Sequence, residues 1–92
     1  MRIIKKKGLI EENISERELL LHDEGGEQTH LLSYTAGVLY KLCGGITVDE
    51  AVSGYIDAFS GADVSADKLR EDAHKIIAML KEKDVIWEEE IA

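Results

Sequence analysis

The apolar rhythm of this chain changes at Ser33, and that change constrains its fold more than any other feature. Before Ser33, hydrophobic residues come in short runs: Ile3-Ile4, Leu9-Ile10, Leu19-Leu20-Leu21 and Leu31-Leu32. After it they recur three and four residues apart over long stretches. Short runs divided by turn residues form strands, and a period near 3.6 forms amphipathic helices. A chain that does first one and then the other builds a sheet and covers it with helices, which is the α+β class.

Residues 1–32 contain the material for a three-stranded antiparallel sheet. Gly8-Leu9-Ile10 opens one strand, Glu18 to His22 forms the next, and Gln28-Thr29-His30-Leu31-Leu32 has the length of a third. Asp23-Glu24-Gly25-Gly26 lies between the last two, and its glycines reach the positive φ of a hairpin turn. Ile3-Ile4 is followed by Lys5, Lys6 and Lys7, and this basic start reads as a flexible, solvated N-terminus.

Three helices follow. Ser33 is placed to cap the first, from Tyr34 to Leu42, where Ala36, Leu39, Tyr40 and Cys43 make one stripe. Gly44-Gly45 stops it. Thr47-Val48-Asp49-Glu50 is a capping box that opens the second helix, which runs to about Phe59. Asp63 or Ser65 caps the third, which continues to about Lys83 with Leu69, Ala73, Ile76, Ile77 and Leu80 on its apolar face. Val85-Ile86-Trp87 is either a short strand or a tail on the helices. There are 92 residues and no proline. Two cores need roughly twice that length, so residues 1–92 read as a single domain.

Several chemistries lack their residues. Nineteen acids against eleven bases give a net charge of -8, which disfavours nucleic acid and anionic membrane as partners. The third helix interleaves Lys68, Arg70, Lys75, Lys81 and Lys83 with Asp67, Glu71, Asp72, Glu82 and Asp84. It carries no basic stripe for phosphates, although the element order suits a winged helix-turn-helix. His22, His30 and His74 never pair at i,i+4, so no helical zinc site forms and no metal or cofactor is expected. Cys43 stands alone at an apolar helix end, as a core thiol does. One cysteine, no apolar run long enough to span a bilayer and no signal-peptide pattern point to a cytoplasmic protein. Asp63-Val64-Ser65 lacks the Asp-Ser-Leu context of an acyl carrier's prosthetic-group serine. With no catalytic set, the chain reads as a non-enzyme.

The order of motifs resembles the family of coenzyme PQQ synthesis protein D (PqqD), also known as the RiPP precursor peptide recognition element. The resemblance rests on Leu19-Leu20-Leu21, Leu31-Leu32-Ser33, Leu42-Cys43-Gly44-Gly45, Thr47-Val48-Asp49-Glu50, the stripe from Leu69 to Leu80, and Val85-Ile86, and covers the chain from about residue 8. Gly44 stands where the family carries an acid and Ser33 where it carries Asn, and Asp23-Glu24-Gly25 replaces a Pro-Glu-Gly turn. The likeness is therefore to the broad peptide-recognition family rather than to PQQ biosynthesis itself. It implies a winged-helix chaperone that captures the leader of a ribosomally made precursor peptide. The leader lies as an added strand against the third strand, beside the third helix. The chaperone then presents it to a peptide-modifying enzyme, such as a radical-SAM maturase or a leader peptidase.

The residues support this reading in their own right. Gln28, Thr29, His30, Leu31 and Leu32 form the candidate edge, a template for strand addition through about five hydrogen bonds of roughly 1 kcal/mol net each. Leu69, Ala73, Ile76 and Ile77 are candidates for the apolar wall of a groove, with Lys68, Asp72 and Lys75 flanking it to set register. An open edge can also pair with its own copy, giving a homodimer. The alternative reading is a structural or regulatory interaction domain of the same winged-helix fold with no precursor peptide.

Overall fold

A computed structural model describes residues 1–23 and 25–90. The elements run β1 (Arg2–Lys5), β2 (Leu9–Asn13), β3 (Leu19–Asp23), β4 (Thr29–Leu32), α1 (Tyr34–Leu42), α2 (Val48–Ala58), α3 (Ala66–Glu82) and β5 (Ile86–Glu89). The fold is α+β, as the change of rhythm at Ser33 requires. Strands β2, β3 and β4 form an antiparallel sheet in that order, and the three helices follow it.

Register follows from the alternation of apolar residues. Leu19, Leu21 and Leu32 all point to one face and are buried. Leu19 pairs with Leu32, and Leu21 pairs with His30. A slip of one residue would turn these leucines to solvent, so burial locks the pairing. The helices close over this face with Leu39 and Tyr40 from α1, Ala51 and Tyr55 from α2, and Ala73 and Leu80 from α3. Gly37 of α1 lies against Leu19 with no side chain of its own between them, and the helix sits close on the sheet.

Each helix begins on a hydroxyl. Ser33 Oγ accepts from the Ala36 N–H at 3.4 Å, and Ser65 Oγ accepts from the Lys68 N–H at 3.2 Å. At α2, Thr47 Oγ1 accepts from the Glu50 N–H at 3.1 Å while Glu50 Oε1 accepts from the Thr47 N–H at 3.0 Å, completing the expected capping box. Cys43 ends α1 as a core thiol. It is buried, its Sγ donates to the Leu39 carbonyl, and burial pushes its pKa up to about 11.

The chain ends depart from the sequence expectation. Arg2–Lys5 is a strand rather than a flexible arm, paired antiparallel with β5, Ile3 opposite Glu88. Ile3 is fully buried. Its N–H donates to the Ile46 carbonyl at 2.7 Å and its carbonyl accepts from the Gly45 N–H at 2.8 Å. Gly44 and Gly45, both at positive φ, turn the chain out of α1 so that it passes Ile3. Lys5 lies over the ring of Tyr40 at 4.4 Å, a cation–π contact that draws the basic start onto the core. A strand this short carries almost no periodicity of its own, and its partner lies at the other end of the chain. β5 is in turn tied to α3 by Lys81 Nζ and Glu88 Oε1 at 2.7 Å.

Helix α3 ends in a Schellman motif. The Val85 N–H donates to the Leu80 carbonyl and the Asp84 N–H to the Lys81 carbonyl, with Val85 and Leu80 both buried. The motif needs a left-handed residue, and Asp84 supplies it at φ 59. A side chain costs free energy in that conformation and glycine does not. Asp84→Gly is therefore expected to stabilise the fold by about 1 kcal/mol, read as a higher urea midpoint. A lower midpoint would contradict this account of the turn.

Candidate functional site

The sheet has two margins, and they differ in charge. The β2 margin carries Glu11 and Glu12, both exposed, and charges there resist an added strand. The β4 margin carries Thr29, His30, Leu31 and Leu32, with no Asp, Glu, Lys or Arg. The terminal strands β1 and β5 pair with each other in a separate ladder. Among the described residues, no strand lies on the outer side of β4.

The polar groups available on that side can be assigned. The Asp23 N–H donates to the Gln28 carbonyl at 3.2 Å, so Gln28 turns its backbone toward β3. Antiparallel pairing alternates, which turns the backbones of His30 and Leu32 toward β3 as well. The N–H and C=O groups of Thr29 and Leu31 then face outward. Sequence reasoning expected all of residues 28–32 to contribute, but alternation halves that set. Gln28 precedes the strand rather than belonging to it. The side chains alternate too: Leu31 is 56% exposed on the outer face, whereas Leu32 is buried in the core. His30 faces inward, and its buried Nε2 has no hydrogen-bond partner.

Helix α3 is linked to the start of β4 at its C-terminal end, through Lys6. At one end the Lys6 N–H donates to the carbonyl of Val85, just past α3, and Lys6 Nζ reaches Gln28 Oε1 at 3.5 Å. Toward the other end, Tyr55 of α2 lies near Asp72 of α3. Burial raises the pKa of Tyr55, and the nearby Asp72 carboxylate of α3 adds to the rise. The surface between these points, with β4 toward one side and α3 toward the other, is the candidate groove.

The α3 wall differs from the one expected. Leu69, Ala73 and Ile77 are buried in the core and floor the groove at most. Half-buried residues follow a neighbouring stripe: Asp72, Ile76, Met79 and Lys83, spaced i, i+4, i+7 and i+11. That stripe lies on the opposite side of the core line from Arg70 and His74, which border a shallow depression against α2. Ile76, expected in the wall, and Asp72, expected as a flanking charge, lie on this stripe together with Met79 and Lys83. The signal for the last two was the spacing itself, hidden because the stripe mixes apolar and charged residues.

The flanking charges pair within the helix. Lys68 Nζ is 3.2 Å from Asp72, and Lys75 Nζ is 3.1 Å from Glu71. The hydrogen bond to Asp72 raises the pKa of Lys68. Arg70 is held by Asp67 at 3.0 Å. Exposed pairs of this kind are worth little to stability, but they mask the positive charge of α3. A second depression, lined by Asn13, Arg17, Tyr34 and Lys41, lies at the β2–β3 turn, away from the groove.

No family profile matches the chain, and no curated protein matches its sequence. Among solved structures, TbiB1 in complex with the TbiA(beta) leader peptide shares the fold. The TM-score is 0.70 at 14% identity, over 96% of this chain and 99% of that one. At that identity the likeness is one of fold: the same path of strands and helices is reached with few shared residues.

The margin assignment makes a prediction of its own. In the free protein the amide protons of Thr29 and Leu31 are expected to exchange with solvent at least about tenfold faster than those of His30 and Leu32. Hydrogen exchange followed by NMR reads this directly. Equal protection of all these amides would mean that the outer side is covered.

Proposed function

We propose that this chain is a non-catalytic peptide-binding chaperone. It captures the leader of a ribosomally made precursor as a fourth strand on β4 and presents it to a modifying enzyme. The observation that carries the reading is a sheet margin with no paired strand and no Asp, Glu, Lys or Arg, together with a half-buried stripe on α3. Its fold neighbour, TbiB1, was solved holding a leader peptide, which fits the same use of the fold.

Strand addition follows from elementary needs. The outward N–H and C=O groups of Thr29 and Leu31 require partners, and an extended backbone supplies them in register. Every strand pair in the fold is antiparallel, and an antiparallel guest continues the sheet. Guest side chains opposite His30 and Leu32 point into the groove, toward Ile76 and Met79. Those opposite Thr29 and Leu31 point to solvent beside exposed Leu31. The guest is therefore read through alternate residues: two apolar anchors at i and i+2 face α3, and their outward neighbours stay available to the enzyme.

Magnitude sets the grip. Backbone bonds to both groups of Thr29 and of Leu31 are worth about 1 kcal/mol net each. Two apolar anchors add about 2 kcal/mol each. Before the cost of ordering the guest, this corresponds to a Kd on the order of micromolar. A carrier that hands its cargo on needs such a reversible hold. A radical-SAM maturase or a leader peptidase suits the receiving role. A gene for a short precursor beside this one would identify the cargo.

Proline separates margin from fold. At Thr29 or Leu31 it removes an outward N–H that β3 does not use, so Thr29→Pro and Leu31→Pro are expected to fold. Each should weaken binding of the synthetic leader by about tenfold, as read by NMR titration of residues 28–32, Ile76 and Met79. Unchanged affinity in both folded variants, or shifts confined to other residues, would refute strand addition on β4.

A further inference from the structure

Lys6 occupies a particular place in this groove. It lies in the turn between β1 and β2, outside both walls, yet it touches each of them. Its backbone N–H donates to Val85, which follows α3, at 2.9 Å. Its side chain crosses to Gln28, which precedes β4. Lys6 thus spans the end of the groove that lies at the C-terminus of α3. The side chain is half-buried and meets only a neutral amide oxygen at 3.5 Å, the long limit of a hydrogen bond.

The neighbouring charges leave Lys6 suited to a further partner. The Asp23 carboxylate, in the turn before β4, is engaged: its Oδ1 accepts from the Glu27 and Gln28 N–H groups. Among the described residues no carboxylate is at ion-pair distance from Lys6, whereas Lys5, Lys68, Lys75 and Lys81 each have one. Lys83, the cap of α3, lies on the groove stripe two residues before the carbonyl that holds Lys6. A second cation therefore stands at the same end. The opposite end carries Asp72, already paired with Lys68. The two ends therefore differ: Lys6 and Lys83 stand at the Gln28 end without an ion-pair partner among the described residues, and a Lys68–Asp72 pair stands at the other.

We infer that Lys6, supported by Lys83, is a specificity-determining residue that receives a carboxylate side chain of the guest strand and so sets its direction and register. The inference rests on strand addition to β4. An antiparallel guest leaves the groove at the Gln28 end with its C-terminal part. Its Asp or Glu therefore lies C-terminal to the two apolar anchors and replaces the Gln28 amide as the partner of Lys6. A guest entering in the reverse direction would bring its anchors to the groove with the acid at the Asp72 end, where Lys68 is already paired and, among the described residues, no free cation meets it.

Selection from a library of displayed random dodecapeptides tests this without knowledge of the natural leader. The bait is the full chain, with Lys6→Met, Lys6→Glu and Lys83→Met as parallel baits whose folding is checked by amide spectra. The wild-type chain is expected to enrich peptides with two apolar residues at i and i+2 followed by an acid. Lys6→Met should lose the acid preference but keep the apolar pair, and Lys6→Glu should replace the acid with Lys or Arg. For one enriched peptide made synthetically, Glu→Gln should weaken binding about three- to fivefold to the wild-type chain and not at all to Lys6→Met. Peptides that bind β4, judged by their loss on Leu31→Pro, but show no acid preference, or one that Lys6 variants leave unchanged, would overturn the role of Lys6 alone. Enriched peptides indifferent to Leu31→Pro, or no enrichment at all, would overturn strand addition itself and the Lys6 inference with it.

Discussion

The pairing of β1 with β5 is the interaction on which the rest of this structure depends. It joins the two ends of the chain into their own ladder and seats Ile3 in the core beside Ile46. Both ends are thereby kept off the three-stranded sheet. A small protein with a free strand near either terminus would gain backbone hydrogen bonds by laying that strand on β4. Here those strands are satisfied elsewhere. The same ladder brings Val85 to the Lys6 N–H, and from there the Lys6 side chain reaches Gln28 at the start of β4.

The second constraint is the difference between the two sheet margins. Glu11 and Glu12 protect β2, and nothing comparable protects β4. A net charge of -8 opposes the approach of a second copy at long range, and the β4 margin adds no carboxylate of its own. In the proposed binding mode the half-buried stripe on α3 would supply selectivity, with Ile76 and Met79 meeting apolar side chains at alternate positions of the guest.

Much of this was legible in the residues. The apolar rhythm located the sheet and all three helices, and the capping hydroxyls Ser33 and Thr47 marked helix starts where the hydrogen bonds fall. The β4 margin was legible because a Gly-Gly turn precedes it and Ser33 ends it. Three things were not. The N-terminal strand was hidden because a basic run follows two isoleucines, and only the distant Ile86-Trp87 segment gives it a partner. The alternation of outward groups on β4 depends on the Asp23–Gln28 bond, which no composition reveals. The groove wall was placed on the core stripe, because apolar residues at helical spacing look alike whether they are buried beneath a surface or border it. Leu69, Ala73 and Ile77 are beneath it, and Ile76 borders it.

The central claim is that a guest backbone adds to β4 while its side chains meet α3. An isotope-filtered NOE experiment on the labelled chain with unlabelled leader peptide measures both contacts at once. The account predicts cross-strand contacts from the peptide backbone to Thr29 and Leu31, together with side-chain contacts to Ile76 and Met79. Contacts along Glu11 and Glu12, or to the helices alone, would contradict it.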